Sequence, residues 1–357
     1  MNKIAEIREK LAAAGLDGLL ITDEKNQRYA AGFPLPTGPC WWAGRRPGSS
    51  PIPGISRRRR RLRERPSRCS SDRQLPLKEL LRRDIKEAGM ERLAAEDGKL
   101  SHREYLEYEK ALGLKLEPCG SLLQELRASK SEEELRYMQQ AQDIAELALE
   151  DVLHVIKPGM TEQQVMAELV YSMLRHGSEG NSFDPIVVTG EKTSMPHGVP
   201  GDKAIRAGDF VTMDFGCIKE GYCSDMTRTV AVGHATEEMK TVYDIVLKAQ
   251  LAGIAAARAG IPGRDIDAAA RAGDKRRRLR GLFRPRLWPQ PGPGYPREPQ
   301  RKSLGPGPDA GGSRVLRRTG GYLPGRFGVR IEDVMVLKKD GCRLLTKAKK
   351  ELIILPA

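Results

Sequence analysis

The chain has 357 residues, of which 39% are hydrophobic, and a formal net charge of +14. This length favours two domains, and the hydrophobic fraction is ample for a core in the middle of the chain. No apolar run approaches the roughly 18–20 residues that a membrane crossing needs, which excludes a membrane-spanning protein. The N-terminus lacks the apolar core of a signal peptide, and the six cysteines form no Cys-x-x-Cys pair. We therefore expect a cytoplasmic protein with reduced thiols.

The positive charge is concentrated in two stretches. Residues 34–74 contain 11 arginines, no lysine and two acids, and residues 275–318 contain 13 basic residues and two acids. The stretches carry +9 and +11, which leaves a net charge of −6 for the rest of the chain. The chain is therefore a mildly acidic protein with two basic inserts. This distribution of charge argues against a nucleic-acid partner for the chain as a whole.

Both stretches are rich in Arg, Pro and Gly, contain all three tryptophans and show no apolar period. They could be basic linkers that bind a polyanion, degenerate sequence, or segments translated in the wrong frame. We favour the third interpretation, because GC-rich codons translated out of frame yield Arg, Pro, Gly, Ala and Trp. We expect neither stretch to pack as a domain core.

Elsewhere, apolar spacing predicts helices and strands in alternation, an α/β (α+β) fold. The expected helices cover 3–14 and 77–88, open at Ser131 and Thr161, and run from Thr236 to Ala257. The helices at Ser131 and Thr161 each begin with a capping box, completed by Glu134 and Gln164. The expected strands cover 16–22, 183–189, both arms of a hairpin over 210–233, and 328–337.

The hairpin over 210–233 contains an aspartate in each arm, Asp214 and Asp225. With a loop at Lys219-Glu220 the two aspartates would lie directly opposite each other. With a loop at Glu220-Gly221 they would be diagonal neighbours on the same face. Either arrangement brings two carboxylates within a few Å, which is unfavourable unless cations neutralise them. The alternative is that one aspartate is a turn or surface residue.

Two further segments contain residues that suit a metal site. The strand over 328–337 has Glu332 and Asp333 in its middle, where acidic residues are depleted and need a reason. The Pro- and Gly-rich loop over 194–201 contains His197. A loop histidine that bonds only the backbone is the alternative interpretation of His197.

Four motifs occur in the order in which a known family has them: Pro-His-Gly from 196, Met-Asp-Phe-Gly from 213, Ser-Asp-Met-Thr-Arg-Thr from 224 and Gly-Val-Arg-Ile-Glu-Asp from 328. With them the chain resembles the Xaa-Pro aminopeptidases and dipeptidases of peptidase family M24. These are two-metal exopeptidases with the pita-bread fold. The resemblance implies a pita-bread catalytic domain over 121–357, preceded by a smaller α/β creatinase-like N-terminal domain over 1–120.

The resemblance also implies roles for the residues of these motifs. Asp214 would bind one of two divalent metal ions, Mn²⁺ or Co²⁺, while Asp225 and Glu332 bridge both. His197 would lie beside the substrate and steady its carbonyl or the tetrahedral intermediate. The implied substrates are short peptides with proline second, and family members often form homodimers. The three carboxylates argue against the metal-free creatine-hydrolysing branch, and the long N-terminal region argues against a minimal methionine aminopeptidase.

The remainder of the implied site is missing. The family's histidine ligand belongs to a segment that coincides with 275–318, and no histidine follows His234. The fifth ligand is a glutamate, and counting back from Tyr322 puts Arg318 at its position. A second histidine near the substrate is lost from the same stretch. We therefore expect little or no activity, with a non-catalytic peptide-binding relative and a basic nucleic-acid-binding protein as alternative functions.

Overall fold

A computed structural model of the chain describes residues 3–32, 40–43, 77–272, 286–289 and 314–357. Two compact units divide the chain, Met1–Arg127 and Ala128–Ala357. Both contain helices and strands, which confirms the predicted α/β class. The predicted domain boundary, after residue 120, lies close to this division and stays a prediction.

The first unit is a small α/β domain. Its helices are α1 (Lys3–Ala13), α2 (Glu24–Ala31), α3 (Leu77–Glu87), α4 (His102–Leu112) and α5, which ends at the first residue of the second unit (Leu122–Ala128). Its strands are β1 (Gly18–Ile21), β2 (Cys40–Ala43), β3 (Leu93–Ala95) and β4 (Leu116–Pro118). The strand order is β2-β1-β3-β4, with β2 antiparallel to β1 and the other pairs parallel. The buried strands β1 and β3 are continuous apolar runs, as parallel sheets covered on both faces require.

The second unit contains the remaining elements. Its helices are α6 (Glu132–Val155), α7 (Glu162–Arg175), α8 (Glu237–Ala256) and α9 (Gly263–Ala272). Its strands are β5 (Gly180–Asn181), β6 (Ile186–Thr189), β7 (Phe210–Phe215), β8 (Cys217–Lys219), β9 (Tyr222–Cys223), β10 (Met226–Val232), β11 (Arg286–Pro289), β12 (Arg314–Leu323), β13 (Phe327–Lys338), β14 (Gly341–Leu344) and β15 (Ile354–Leu355). Both predicted capping boxes are present, at the starts of α6 and α7.

An eight-stranded sheet forms the centre of this unit. Its strands follow the order β11-β12-β13-β10-β7-β6, with β14 beside β13 and β15 beside β10. Parts of the two basic stretches therefore belong to sheets, namely 40–43, 286–289 and 314–318. The prediction that the rest of 34–74 and 275–318 does not form a core lies outside the described residues.

The two faces of the central strands differ in chemistry. On one face, Met213 and Phe215 pack with α6 and α7, while Val329 and Ile331 pack with α8. Side chains alternate along a strand, so the intervening residues lie on the other face. That face is polar and still buried, with Thr212, Asp214, Thr227, Thr229, Arg330 and Glu332. The sheet thus presents a buried polar surface on the side away from its helices.

The long hairpin turns at Glu220-Gly221, which resolves the two alternatives left by the sequence. Lys219 pairs with Tyr222, in the same register that pairs Asp214 with Thr227, which leaves only these two residues in the turn. Their φ angles are 48° and 71°, as a two-residue type I′ turn requires. Asp214 and Asp225 are therefore diagonal neighbours on one face.

Candidate metal centre

Three predicted carboxylates meet on the polar face of the sheet. One oxygen from each of Asp214, Asp225 and Glu332 lies within 4.8 Å of the others. The residues are 4%, 2% and 1% exposed. The convergence predicted from the hairpin and from Glu332 is confirmed, while the role of these residues as metal ligands stays a prediction.

Strand β10 brings the three carboxylates together. Its Thr227 pairs with Asp214 of β7 on one side and with Glu332 of β13 on the other. Asp225 lies two residues before Thr227, and therefore on the same face. The hydroxyl of Thr227 donates a hydrogen bond to Oε2 of Glu332 at 2.7 Å. One strand thus fixes the position of all three acids.

A buried arginine completes the described part of the cluster. Arg330 is 1% exposed, and its Nη2 lies 3.5 Å from Oδ2 of Asp214. Its Nη1 donates to the carbonyl oxygen of Pro196 at 2.7 Å. Arg330 is not among the residues predicted from the sequence, although the sequence contains a signal for it. A charged residue inside a strand, two positions before Glu332, calls for the same explanation as Glu332 itself.

The charge and chemistry of the described side chains suit a hard divalent cation. Three carboxylates and one guanidinium leave a formal charge of −2, which one divalent ion would balance. The donor atoms are all oxygens, and hard ions such as Mn²⁺ and Mg²⁺ prefer oxygen ligands. Arg318 pairs with Glu332 in the register of β12 and β13, and its side chain lies outside the described part of the chain. The residue predicted to replace a ligand thus has its backbone directly opposite a candidate ligand.

His197 lies in an exposed loop after a 3₁₀ turn at Gly190–Ser194. The residue before it, Pro196, accepts the hydrogen bond from Arg330. This arginine connects the loop to Asp214, so the loop is joined to the carboxylate cluster. The catalytic role of His197 stays a prediction.

His154 of α6 and His176, which follows the last residue of α7, contact oxygen atoms of the protein. Nδ1 of His154 lies 2.7 Å from the carbonyl oxygen of Glu150, and Nε2 of His176 lies 2.8 Å from Oδ2 of Asp151. Each of the two rings thus has a protein oxygen atom as its partner.

The second acid of β13 faces the other way and has its own partners. Asp333 is fully buried and lies 2.8 Å from Nη2 of Arg228, with Gln250 at 2.5 Å and Lys350 at 3.2 Å. Arg228 also donates to main-chain carbonyl oxygens at 2.7 to 2.9 Å, those of Thr227, Glu332, Ala348 and Lys349. This network holds the backbone of Glu332 from the helix-covered face of the sheet. Asp333 thus belongs to a structural network, whereas Glu332 belongs to the carboxylate cluster on the opposite face.

Cysteine is not a donor in this cluster. Burial raises the pKa of Cys217 to about 11, and its thiol donates to the carbonyl oxygen of Ala141. The four cysteines whose side chains are described form no disulfide: Cys119, Cys217, Cys223 and Cys342.

Comparison with known proteins decides the family. The profile of metallopeptidase family M24 matches residues 136–339, more than half of the chain. The chain belongs to metallopeptidase family M24. The creatinase/prolidase N-terminal domain matches residues 3–129. This family member therefore consists of a creatinase-type N-terminal domain followed by a pita-bread peptidase domain, as the sequence predicted.

Relatives and solved structures agree with this assignment. The uncharacterized peptidase YqhT of Bacillus subtilis is 32% identical over 99% of this chain and 100% of that protein. The Xaa-Pro dipeptidase of Pyrococcus horikoshii is 34% identical over 65% of this chain and 66% of that protein. The structure of an Xaa-Pro dipeptidase from Bacillus anthracis superposes with a TM-score of 0.85 at 32% identity, covering 99% of each chain. Throughout the described residues of this M24 peptidase, no helix is both long and apolar enough to cross a membrane.

Proposed function

We propose that the inherited function of this chain is metal-dependent removal of the N-terminal residue from short peptides with proline second. The buried convergence of Asp214, Asp225 and Glu332 is the observation that supports it most directly. The preference for proline is supported by the relatives, among them the Xaa-Pro dipeptidases of Pyrococcus horikoshii and Bacillus anthracis.

In this proposal the three carboxylates hold the cation, with Mn²⁺ or Co²⁺ as the native ion. When bound, divalent ions in such a site activate water and polarise the scissile carbonyl. Thr227 fixes the orientation of Glu332 by its hydrogen bond, and Arg330 offsets part of the negative charge beside Asp214. His197 donates a hydrogen bond to the substrate carbonyl oxygen, where charge develops during hydrolysis.

We further propose that the chain as written is inactive or nearly so. The implied histidine ligand has no counterpart, because no histidine follows His234. The implied glutamate ligand is replaced by Arg318, a cation at a position where a cation should be bound. Loss of one preorganised catalytic group commonly reduces the rate by about 10²–10³, and incomplete ligand sets also weaken metal binding.

The test compares this chain with a version in which 34–74 and 275–318 are translated in the restored frame. Both are assayed with saturating Mn²⁺ on a peptide with proline second and on its alanine-second counterpart. We expect the restored chain to cleave the proline peptide, and the chain as written to be slower by about 10² or more. Rates within about tenfold of each other would refute the proposed inactivity.

The same assay tests the substrate class. A restored chain that cleaves the alanine peptide as fast as the proline peptide would refute the proline preference. If neither chain turns over and both bind the proline peptide, the protein is a non-catalytic peptide-binding relative. That outcome would refute the hydrolytic proposal and leave the family assignment intact.

A further inference from the structure

The loop that contains His197 is bonded to the rest of the unit at several backbone atoms. Arg330 accounts for one contact, at the carbonyl oxygen of Pro196. At the start of the loop, the hydroxyl of Thr193 accepts a hydrogen bond from the backbone N–H of Gly328 at 2.7 Å. A Cβ at Gly328 would lie 2.3 Å from the carbonyl oxygen of Thr193, so only glycine permits this approach. The loop and β13 are therefore packed backbone against backbone.

On its far side the loop is bonded to a buried ion pair. Glu162, the first residue of α7, has no exposed surface and pairs with Nζ of Lys192. Oε1 of Glu162 accepts from the N–H of Thr189 at 2.8 Å, and Oε2 accepts from the N–H of Gly201 at 2.9 Å. Lys192 also donates to the carbonyl oxygen of Val199 at 2.9 Å. The pair thus bonds the backbone on both sides of the loop.

We propose that Glu162 and Lys192 are a positioning pair that fixes the loop over 195–201 and thereby sets the place of the His197 ring. The catalytic part of this inference rests on the proposed function, whereas the positioning part stands on these contacts alone. Without the pair, the loop would retain Arg330 at Pro196 and the Gln163 N–H at the carbonyl oxygen of Gly201. The carbonyl oxygen of Val199 and the N–H of Gly201 would lose the hydrogen bonds that the pair makes.

The burial of Glu162 explains why this pair is effective. A carboxylate without solvent exposure is unfavourable unless charged and hydrogen-bonding partners surround it. Glu162 obtains them from Lys192 and from the two N–H groups, so a change at Lys192 removes one of the partners of a buried carboxylate.

The chain offers a matched control for this pair. Lys203 lies 3.3 Å from Glu191 in the same region, with side chains 31% and 61% exposed. Exposed pairs of this kind contribute little to stability. Lys192→Met and Lys203→Met therefore remove the same charge beside the same loop, and only the first touches the buried pair.

Two measurements in the metal-free protein test the proposal. Hydrogen exchange of the backbone amides over 195–201 should accelerate about tenfold or more in Lys192→Met and stay unchanged in Lys203→Met, since local opening sets these rates. The NMR signal of the His197 ring, assigned by its loss in His197→Asn, should shift in Lys192→Met. Lys192→Arg should restore both, because it keeps the charge and the donors.

Equal exchange in Lys192→Met and Lys203→Met would overturn the proposal, as would a folded Lys192→Arg protein without restoration. If Lys192→Met does not fold, the double variant Glu162→Gln/Lys192→Met replaces it, because it leaves no unpaired buried charge. That variant should show fast loop exchange with normal protection in α6 and α7. Neither measurement uses hydrolysis, so failure of the proposed function would leave the positioning result unchanged.

Discussion

The hydroxyl of Thr227 bonds the buried carboxylate of Glu332, and its removal has a measurable consequence. We expect Thr227→Val to lower the free energy of unfolding by about 1–3 kcal/mol, because a buried acceptor loses a partner. Urea denaturation of the metal-free protein measures this change. The control is Thr241→Val, whose exposed hydroxyl donates to the carbonyl oxygen of Glu237 in the preceding turn of its own helix. A loss no greater than in the control would contradict the prediction.

Arg228 is a stronger case, because it pairs with a fully buried acid. We expect Arg228→Met to destabilise the fold by about 3–5 kcal/mol, since Asp333 would retain a buried charge without its main partner. Arg326→Met is the matched control, because Arg326 pairs with Glu238 and both side chains are about half exposed. It should cost about 1 kcal/mol or less. Similar losses in the two variants, measured by urea denaturation, would show that burial does not decide the strength of these pairs.

At the scale of elements, α6 and α7 are joined through Asp151. Its pKa is lowered to about 2, chiefly by a hydrogen bond from Ser172 and then by His176 and Arg175. The folded pKa lies below the unfolded value of about 3.9, so the contribution of Asp151 is complete above that value and is lost as pH falls towards 2. We expect the difference in melting temperature between wild type and Asp151→Asn to shrink as the pH falls from about 4 towards 2.

Ser172→Ala provides the companion measurement, because Ser172 supplies the largest part of this pKa shift. In the Ser172→Ala background, the difference in melting temperature between the protein with Asp151 and its Asp151→Asn variant should be smaller than in wild type. It should still shrink as the pH falls. A difference that grows on acidification would mean that another group controls the contact between these helices.

The elements that could be predicted are those with local signals. Capping boxes at Ser131 and Thr161 predict the starts of α6 and α7, because this motif needs only four consecutive residues. Alternation along the hairpin is enough to place Asp214 and Asp225 on one face. Glu332 could be added because an acid inside a strand is conspicuous. Periodicity thus predicts the aspartate pair, whereas Glu332 is added by its unusual place inside a strand and by the resemblance of its motif to the M24 family.

The supporting contacts could not be predicted, because their partners are far apart in the chain. Arg330 bonds a carbonyl 134 residues away, Arg228 bonds one 121 residues away, and Glu162 and Lys192 are 30 residues apart. Spacing within one segment has no information about such pairs. Backbone carbonyl acceptors also cannot be recognised from residue type, since every residue has a carbonyl group.

At the scale of the whole molecule, metal binding should increase the free energy of unfolding. An ion that binds only the folded state at about 100 times its Kd stabilises it by about 2.7 kcal/mol. We therefore expect Mn²⁺ to raise the melting temperature of the chain, and Asp225→Asn to abolish the increase. Glu237→Gln, which changes an exposed acid on α8, should retain it. An increase of equal size in Asp225→Asn would place the bound ion elsewhere.

The network behind Glu332 also has a consequence for synthesis on the ribosome. Arg228 needs the carbonyl groups of Ala348 and Lys349, and the hydroxyl of Tyr243 donates to the carbonyl oxygen of Lys350. Strand β10 is synthesised more than 100 residues before these partners. In a nascent chain that stalls before residue 348, Arg228 therefore lacks the carbonyl groups of Ala348 and Lys349, and Asp333 lacks Lys350. Because domains generally fold as units, the carboxylate cluster should assemble late in translation, only after residues 348–350 have emerged.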